Sequence, residues 1–246
     1  MQSWSDGIDD GVAAILGYHK IGEPSDGNYP SWNYISAQGF ADQLAVLRRE
    51  GWSGVGLQQF LAALSGREPL PPKSALVTFD DGYRSTLTEA LPVLNAFGFP
   101  AVVFVPTDYV GGRNTFDRGI EPEEPMCTWD ELRNLHASGV SVQAHGVSHT
   151  SLSSLEEPAM VHELVESKSR LQSELGVSVE AFAYPYGDDV HPSLTDDLMQ
   201  KLGYAVAFRY GGGLFSKGKA AFVSPFRIPR LAMGPDTDLA ALLNET

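Results

Sequence analysis

Basic residues, cysteine and long apolar runs are all scarce in this sequence, and each shortage closes off a class of function. Among 246 residues, 17 Lys and Arg face 31 Asp and Glu, a formal net charge of −14. Binding a phosphate backbone needs a basic face, so nucleic acid is excluded as a partner. The excess acid makes a solvated acidic surface, or a field that attracts a metal or a cationic product. Cys127 is the single cysteine, which rules out an internal disulfide and a cysteine-based zinc knuckle. No run stays apolar for the roughly 20 residues of a membrane-spanning helix. Met1-Gln2-Ser3-Trp4-Ser5-Asp6-Gly7 lacks a basic region followed by an apolar one, so no leader is visible. The chain as written reads as cytoplasmic, or as periplasmic or secreted where a leader has been removed. Repeats, low-complexity tracts and linkers are missing too, and nothing implies a protein partner. Residues 1–246 are expected to form a single domain, with 1–11 a flexible N-terminal segment.

What is present is an alternation of strand-like and helix-like segments. Val12 to Tyr18, Leu76 to Phe79, Ala101 to Val105, Val140 to Ala144, Ala181 to Tyr184 and Tyr204 to Phe208 are short apolar runs of strand type. Between them lie helical patterns at Ser36 to Glu50, Leu57 to Leu64, Ser85 to Phe97, Thr128 to Ala137, Pro158 to Leu175 and Ser193 to Leu202. Ser36 is an expected N-cap, Thr128 with Glu131 an expected capping box, and Gly51, Gly98, Gly176 and Gly203 expected stops. Pro92 predicts a kink or late start in its helix. Ser224 to Ala232 reads as a last strand and Asp236 to Leu243 as a last helix. Repeated strand–helix units imply parallel strands joined by crossover helices. About seven units fit an α/β fold, a closed or nearly closed β/α barrel rather than a small doubly wound sheet, with residues just past the strand ends facing one pocket.

The polar residues at those strand ends carry the chemistry. Asp80 and Asp81, in Thr78-Phe79-Asp80-Asp81-Gly82, follow one strand. An Asp-Asp-Gly run is often just a solvated turn, but two carboxylates at a strand mouth are poor core material. His145 and His149 follow another strand, and a spacing of four on a helical turn sets both imidazoles on one face. With Asp81 they form a two-histidine, one-carboxylate set, a common arrangement for a catalytic metal with open positions. Tyr184-Pro185-Tyr186-Gly187 predicts a rigid turn able to present a backbone N–H to a ligand. His19 ends the first strand and faces the same pocket.

In this order, Thr78-Phe79-Asp80-Asp81-Gly82, His145-x-x-x-His149 and Phe182-Ala183-Tyr184-Pro185-Tyr186-Gly187 resemble the first three motifs of the NodB-type polysaccharide deacetylases, carbohydrate esterase family 4. Leu16-Gly17-Tyr18-His19-Lys20-Ile21 is similar to the opening of the poly-N-acetylglucosamine deacetylase branch, and the likeness runs from about Ala13 onward. The resemblance implies a distorted β/α barrel and hydrolytic removal of acetyl groups from an acetylated saccharide. It implies one divalent metal ion, zinc in the first place and cobalt, nickel or iron in some members. Carried over by position, Asp81, His145 and His149 are the metal ligands and Asp80 the catalytic base. From the turn itself, Tyr186 with Pro185 is the candidate to meet the oxyanion through the Tyr186 backbone N–H.

The chain departs from the family pattern at three points. Ala183 stands where the third motif carries an arginine. Leu231-Ala232-Met233 replaces the C-terminal Leu-x-His that supplies the general acid. The tryptophan-bearing motif is missing, leaving Trp129 as the candidate pocket wall. The branch resemblance puts the acid histidine near the N-terminus, here His19, and Arg230 is the candidate to orient Asp80 in place of the missing arginine. Three other readings stay open: an O-acetyl esterase on xylan-type sugars, a non-catalytic carbohydrate-binding barrel, and a metal-dependent oxygenase.

Overall fold

The computed structural model describes residues 11–24, 31–188, 191–216 and 224–244. All but Gly11 of the expected flexible segment 1–11 lies outside them, as do residues 217–223. The chain begins with β1 (Val12–Tyr18), β2 (Lys20–Ile21), β3 (Tyr34–Ile35), α1 (Ala37–Arg49), β4 (Ser53–Gly54), α2 (Leu57–Leu64) and β5 (Lys73–Phe79). Next come α3 (Leu91–Phe97), β6 (Ala101–Val105), α4 (Trp129–Ala137), β7 (Val140–Ala144), α5 (Glu157–Leu175) and β8 (Ala181–Ala183). It ends with α6 (Asp196–Lys201), β9 (Val206–Phe208), β10 (Phe215–Ser216), β11 (Leu231–Ala232) and α7 (Leu239–Leu242).

The strands β1-β5-β6-β7-β8-β9 lie side by side in that order, every pair parallel. The expected last strand over 224–232 forms only in part. Ile228 bridges Phe208 of β9, and Leu231 and Ala232 pair with Leu16 and Gly17 of β1. Pro229, between these points, lacks an N–H, so the ladder is broken there. This split segment spans the gap from the last full strand to the first, and the sheet curls into a distorted barrel of six full parallel strands and a partial seventh.

Side chains on a strand alternate between faces. Ala13 and Ile15 of β1, Leu76 of β5, Val102 and Phe104 of β6, Ala181 and Ala183 of β8 and Val206 and Phe208 of β9 form one buried cluster. Their neighbours in sequence, such as Ala14, Leu16, Val77, Val103 and Phe182, pack with the helices in a second. Both faces are thus apolar, as parallel strands covered by helices require. Helix α2 joins the first cluster: Phe60 lies 6.0 Å from both Phe208 and Phe215. Helix boundaries follow the expected caps. Ser36 accepts the Gly39 N–H, Thr128 and Glu131 form a capping box, and Gly98 and Gly176 end α3 and α5 in the left-handed conformation. Pro92 sits in the first turn of α3, behind a single π turn at Thr86–Ala90.

Candidate functional site

The period of two that builds the barrel also builds its mouth. Continuing the inner face past the strand ends leads from Thr78 to Asp80, from Gln143 to His145, from Gly17 to His19 and from Ile228 to Arg230. These four side chains, supplied by segments distant in sequence, converge above Phe104, whose ring lies 5.6 Å from the Arg230 guanidinium.

The two aspartates face different partners. Arg230 is fully buried and grips Asp80 in a bidentate pair, Nη1 to Oδ1 and Nη2 to Oδ2, each 2.7 Å. Its other donors go to Thr78 Oγ1 at 3.0 Å and the Arg209 carbonyl at 2.9 Å, so the guanidinium is fixed. Burial pushes the Asp80 carboxyl up, but the Arg230 and His145 charges outweigh it and hold its pKa below the usual value. Asp81, one residue on, leaves the strand with φ +69°, and its Oδ1 lies 3.0 Å from His149 Nε2 and 3.3 Å from His145 Nε2. Burial opposes its charge too, yet the imidazoles hold its carboxyl well below the ordinary range.

The expected helical turn between the histidines is not formed. Residues 145–150 are irregular, and Gly146 (φ +79°) and His149 (φ +57°) are left-handed. A loop brings the imidazoles together, with ring centroids 5.0 Å apart. The His145 Nδ1 lies 2.8 Å from the Ala183 carbonyl, which can only accept, so that nitrogen is the protonated one in the neutral ring and Nε2 turns a lone pair toward Asp81. Ala183 thus serves through its backbone at the position where an arginine was expected. Burial lowers the His145 pKa, but Asp81 and Asp80 outweigh it and raise it.

Asp81, His145 and His149 are all buried, and one donor atom from each lies within 4.8 Å of the others. Asp81 Oδ1 is enclosed and has no hydrogen-bond partner among the described residues. An orphaned carboxylate oxygen facing imidazole nitrogens is costly in a protein interior. A cation at their centre removes that cost, and the nitrogen–nitrogen–oxygen set suits zinc and the other borderline divalent ions.

His19 stands beside the pair, Nε2 3.9 Å from Asp80 Oδ2 and the ring edge-on to Tyr210 at 4.9 Å. Burial, its largest influence, holds the His19 pKa below the usual value, against the pull of Asp81 and Asp80. Met233, where the C-terminal histidine was expected, is buried in the helix-facing core. The Tyr184–Gly187 segment forms a tight turn with Pro185 buried and Tyr186 at φ +60°. Tyr186 is 62% exposed beside the cluster, its ring edge-on to His149 at 4.7 Å. Trp129 stacks instead with Arg170 of α5, 5.7 Å from the guanidinium, in the first turn of α4.

Asp81, His149 and Tyr186 are the only residues other than glycine with positive φ among those described. Such backbone is costly for side-chain-bearing residues and collects at functional sites. The sequence did not point to Phe116, which stacks on His149 at 4.0 Å, or to Glu163 of α5, which holds the loop between the histidines. Phe116 sits in a glycine- and charge-rich stretch with no periodicity to place it. Glu163 lay on a helix whose spacing gave only its buried face.

Residues 67–207 match the model of the family described as polysaccharide deacetylase. The chain is 27% identical over 239 residues to the poly-beta-1,6-N-acetyl-D-glucosamine N-deacetylase of Escherichia coli K12, a match covering 83% of this chain and 34% of that protein. The chain therefore spans about a third of that relative's length. Among solved structures, IcaB from Ammonifex degensii superposes with a TM-score of 0.75 at 29% identity, covering 93% of this chain and 94% of that one. The Streptococcus pyogenes deacetylase PplD, in complex with acetate, shares the fold, with a TM-score of 0.77 at 23% identity over 96% of this chain and 98% of that one. The match at 67–207 takes in more than half of the 246 residues, with Asp80, Asp81, His145 and His149 among them, and the chain belongs to the polysaccharide deacetylase family.

Proposed function

We propose that the protein is a metal-dependent N-deacetylase that hydrolyses the acetamido groups of an N-acetylglucosamine-type saccharide. The observation that carries this reading is the separation of two adjacent buried carboxylates, Asp81 against two imidazoles and Asp80 against a guanidinium. Metal-assisted amide hydrolysis uses a cation to polarise the carbonyl and a free base to take a proton from water, and this pair supplies a place for each. The name of the E. coli relative supports the same chemistry and the choice of sugar.

Asp81, His145 and His149 would hold the ion, which when bound would polarise the acetyl carbonyl and lower the pKa of water. Asp80 stays ionised under the hold of Arg230 and accepts the proton of the attacking water. The turn at Tyr186 aims its backbone N–H at the acetyl oxygen as negative charge builds there. His19 is neutral at rest, because burial depresses its pKa. It lies 3.9 Å from Asp80 and takes over the proton that Asp80 acquires. It then delivers that proton to the departing amine, which leaves poorly until protonated.

The test is acetate release from N-acetylated and O-acetylated oligosaccharides, with and without a chelator. Activity is expected on the amides, lost with chelator and restored by zinc or cobalt. Asp80→Asn is expected to lower turnover by about 10²–10⁴-fold while zinc still binds, the range for loss of a general base. Chelator-insensitive acetate release, or a fully active Asp80→Asn, would overturn the mechanism.

A further inference from the structure

We propose that Glu163 is a positioning residue for the metal site, acting through the loop that joins His145 to His149. This rests on the metal reading above and goes one step deeper into it. Glu163 is 6% exposed on α5, and among the described residues no lysine or arginine pairs with it. Its partners are in the loop. One carboxylate oxygen, Oε2, accepts the N–H of Val147 at 2.6 Å and of Ser148 at 3.0 Å, and the other accepts the Ser148 hydroxyl at 2.7 Å. The loop carbonyls are held from the opposite side. The Asp108 N–H donates to Val147 O at 3.0 Å, and the Tyr109 hydroxyl to Ser148 O at 3.3 Å. Val147 and Ser148 are therefore fixed by both amide and carbonyl.

Gly146 completes the fit. Its φ is +79°, and a Cβ there would come within 2.8 Å of Glu163 Oε2, so only glycine leaves the carboxylate room. His149 follows with φ +57°, a conformation that persists only where its surroundings over-determine it. A buried carboxylate without a cation is stabilised only by well-placed donors, and here all three come from the two residues before His149. Glu163 thereby sets the direction of the His149 ring and its distance from Asp81 Oδ1. It touches neither the ion nor the substrate.

The test is the zinc(II) affinity of the full chain, read by competition with a chromogenic chelator, beside the thermal midpoint of the metal-free protein. Glu163→Leu is expected to weaken zinc binding about 10-fold or more, as loss of an outer-shell partner does. Glu163→Gln should stay within about threefold, because its amide oxygen can accept both N–H groups and its NH₂ can donate to the Ser148 oxygen. Leu171→Ala, buried on the same helix, should lower the midpoint yet leave zinc affinity within about twofold. Unchanged affinity in Glu163→Leu, or equal weakening in Leu171→Ala, overturns the proposal. If Glu163→Leu does not fold, Glu163→Asp carries the test: one methylene short, it should weaken zinc several-fold, and wild-type affinity refutes the role. A wild-type chain that binds no zinc overturns the metal reading as well. Wild-type binding with unaffected variants overturns this inference alone.

Discussion

Asp80 and Asp81 are neighbours in sequence and opposites in surroundings. A strand turns successive side chains to opposite faces, and the left-handed backbone at Asp81 swings its carboxylate back toward the histidines. Asp80 stays on the inner face, where Arg230 meets it. The pair is buried on both sides, 0% and 3% exposed, so removing one member strands a charge. Arg230→Met is expected to destabilise the protein by about 3–5 kcal/mol, the cost of breaking a buried ion pair from one side. Arg230→Met with Asp80→Asn should recover much of that loss. The sign with pH follows from the depressed Asp80 pKa. Its stabilisation is present above the ordinary carboxylate value of 3.8 and fades as pH falls through the lower folded value. Without Arg230 the burial effect prevails and the Asp80 pKa rises above its unfolded value, so the sign reverses: the variant gains stability as pH falls where the wild type loses it. Denaturant unfolding of both proteins between about pH 3 and 7, with chelator present, measures the shift.

At the scale of elements, the site is a set of turns at the ends of well-specified strands. The strands were legible because β-branched and aromatic residues form short apolar runs, and β1 and β6 have the expected limits. Helices α1, α2, α4 and α5 were legible from caps and spacing. The inner face was legible in principle as well, since a period of two carries His19, Asp80, His145 and Arg230 to one mouth. What escaped were features set by tertiary partners. The His145–His149 loop is shaped by Glu163 from a distant helix. The last strand is broken at Pro229, which tolerates only isolated pairings, and the expected last helix shrinks to four residues behind Asp238. The Tyr184–Gly187 segment lay between, expected as a rigid turn and found as a tight one, with its left-handed Tyr186 unforeseen. That turn yields a prediction. Gly187 has φ +72°, and a Cβ there would lie 2.7 Å from the Tyr210 nitrogen and 3.0 Å from its oxygen. Backbone cannot move aside as a flexible side chain can. Gly187→Ala is expected to cost about 1–3 kcal/mol and to lower acetate release by about 10-fold or more as Tyr186 shifts. Gly176→Ala is the control: φ is +67° with nothing within 4 Å, so stability should fall by about 1 kcal/mol with activity intact. Thermal unfolding and an acetate assay on both variants decide.

At the scale of the molecule, closure of the barrel joins the two ends of the chain, with β1 paired to β5 on one side and to β11 on the other. His19 and Arg230 fall outside the family match at 67–207, yet this closure sets both against Asp80. The site is therefore complete only when the first and last strands meet, and its integrity follows that of the whole barrel. Cys127 offers a way to measure that integrity. Its thiol is 1% exposed, its sulfur lies 3.5 Å from the Tyr83 carbonyl, and it follows Met126, which bridges to Tyr83 just beyond the aspartates. Burial, with a smaller push from Glu131 against Arg84, raises its pKa to about 12. At pH 8 the native protein then holds almost no thiolate, and the reagent cannot reach what there is. Alkylation by iodoacetamide should be negligible under native conditions and should follow the global unfolding curve in denaturant, because exposing Cys127 requires separating the α4 entry from the β5–β6 strand ends. Adding zinc should slow the labelling at intermediate denaturant, since an ion bound only by the folded site shifts the unfolding equilibrium toward the native state. Rapid labelling of the native protein, or labelling that precedes loss of ellipticity, would show that the strand ends open locally while the barrel stays closed.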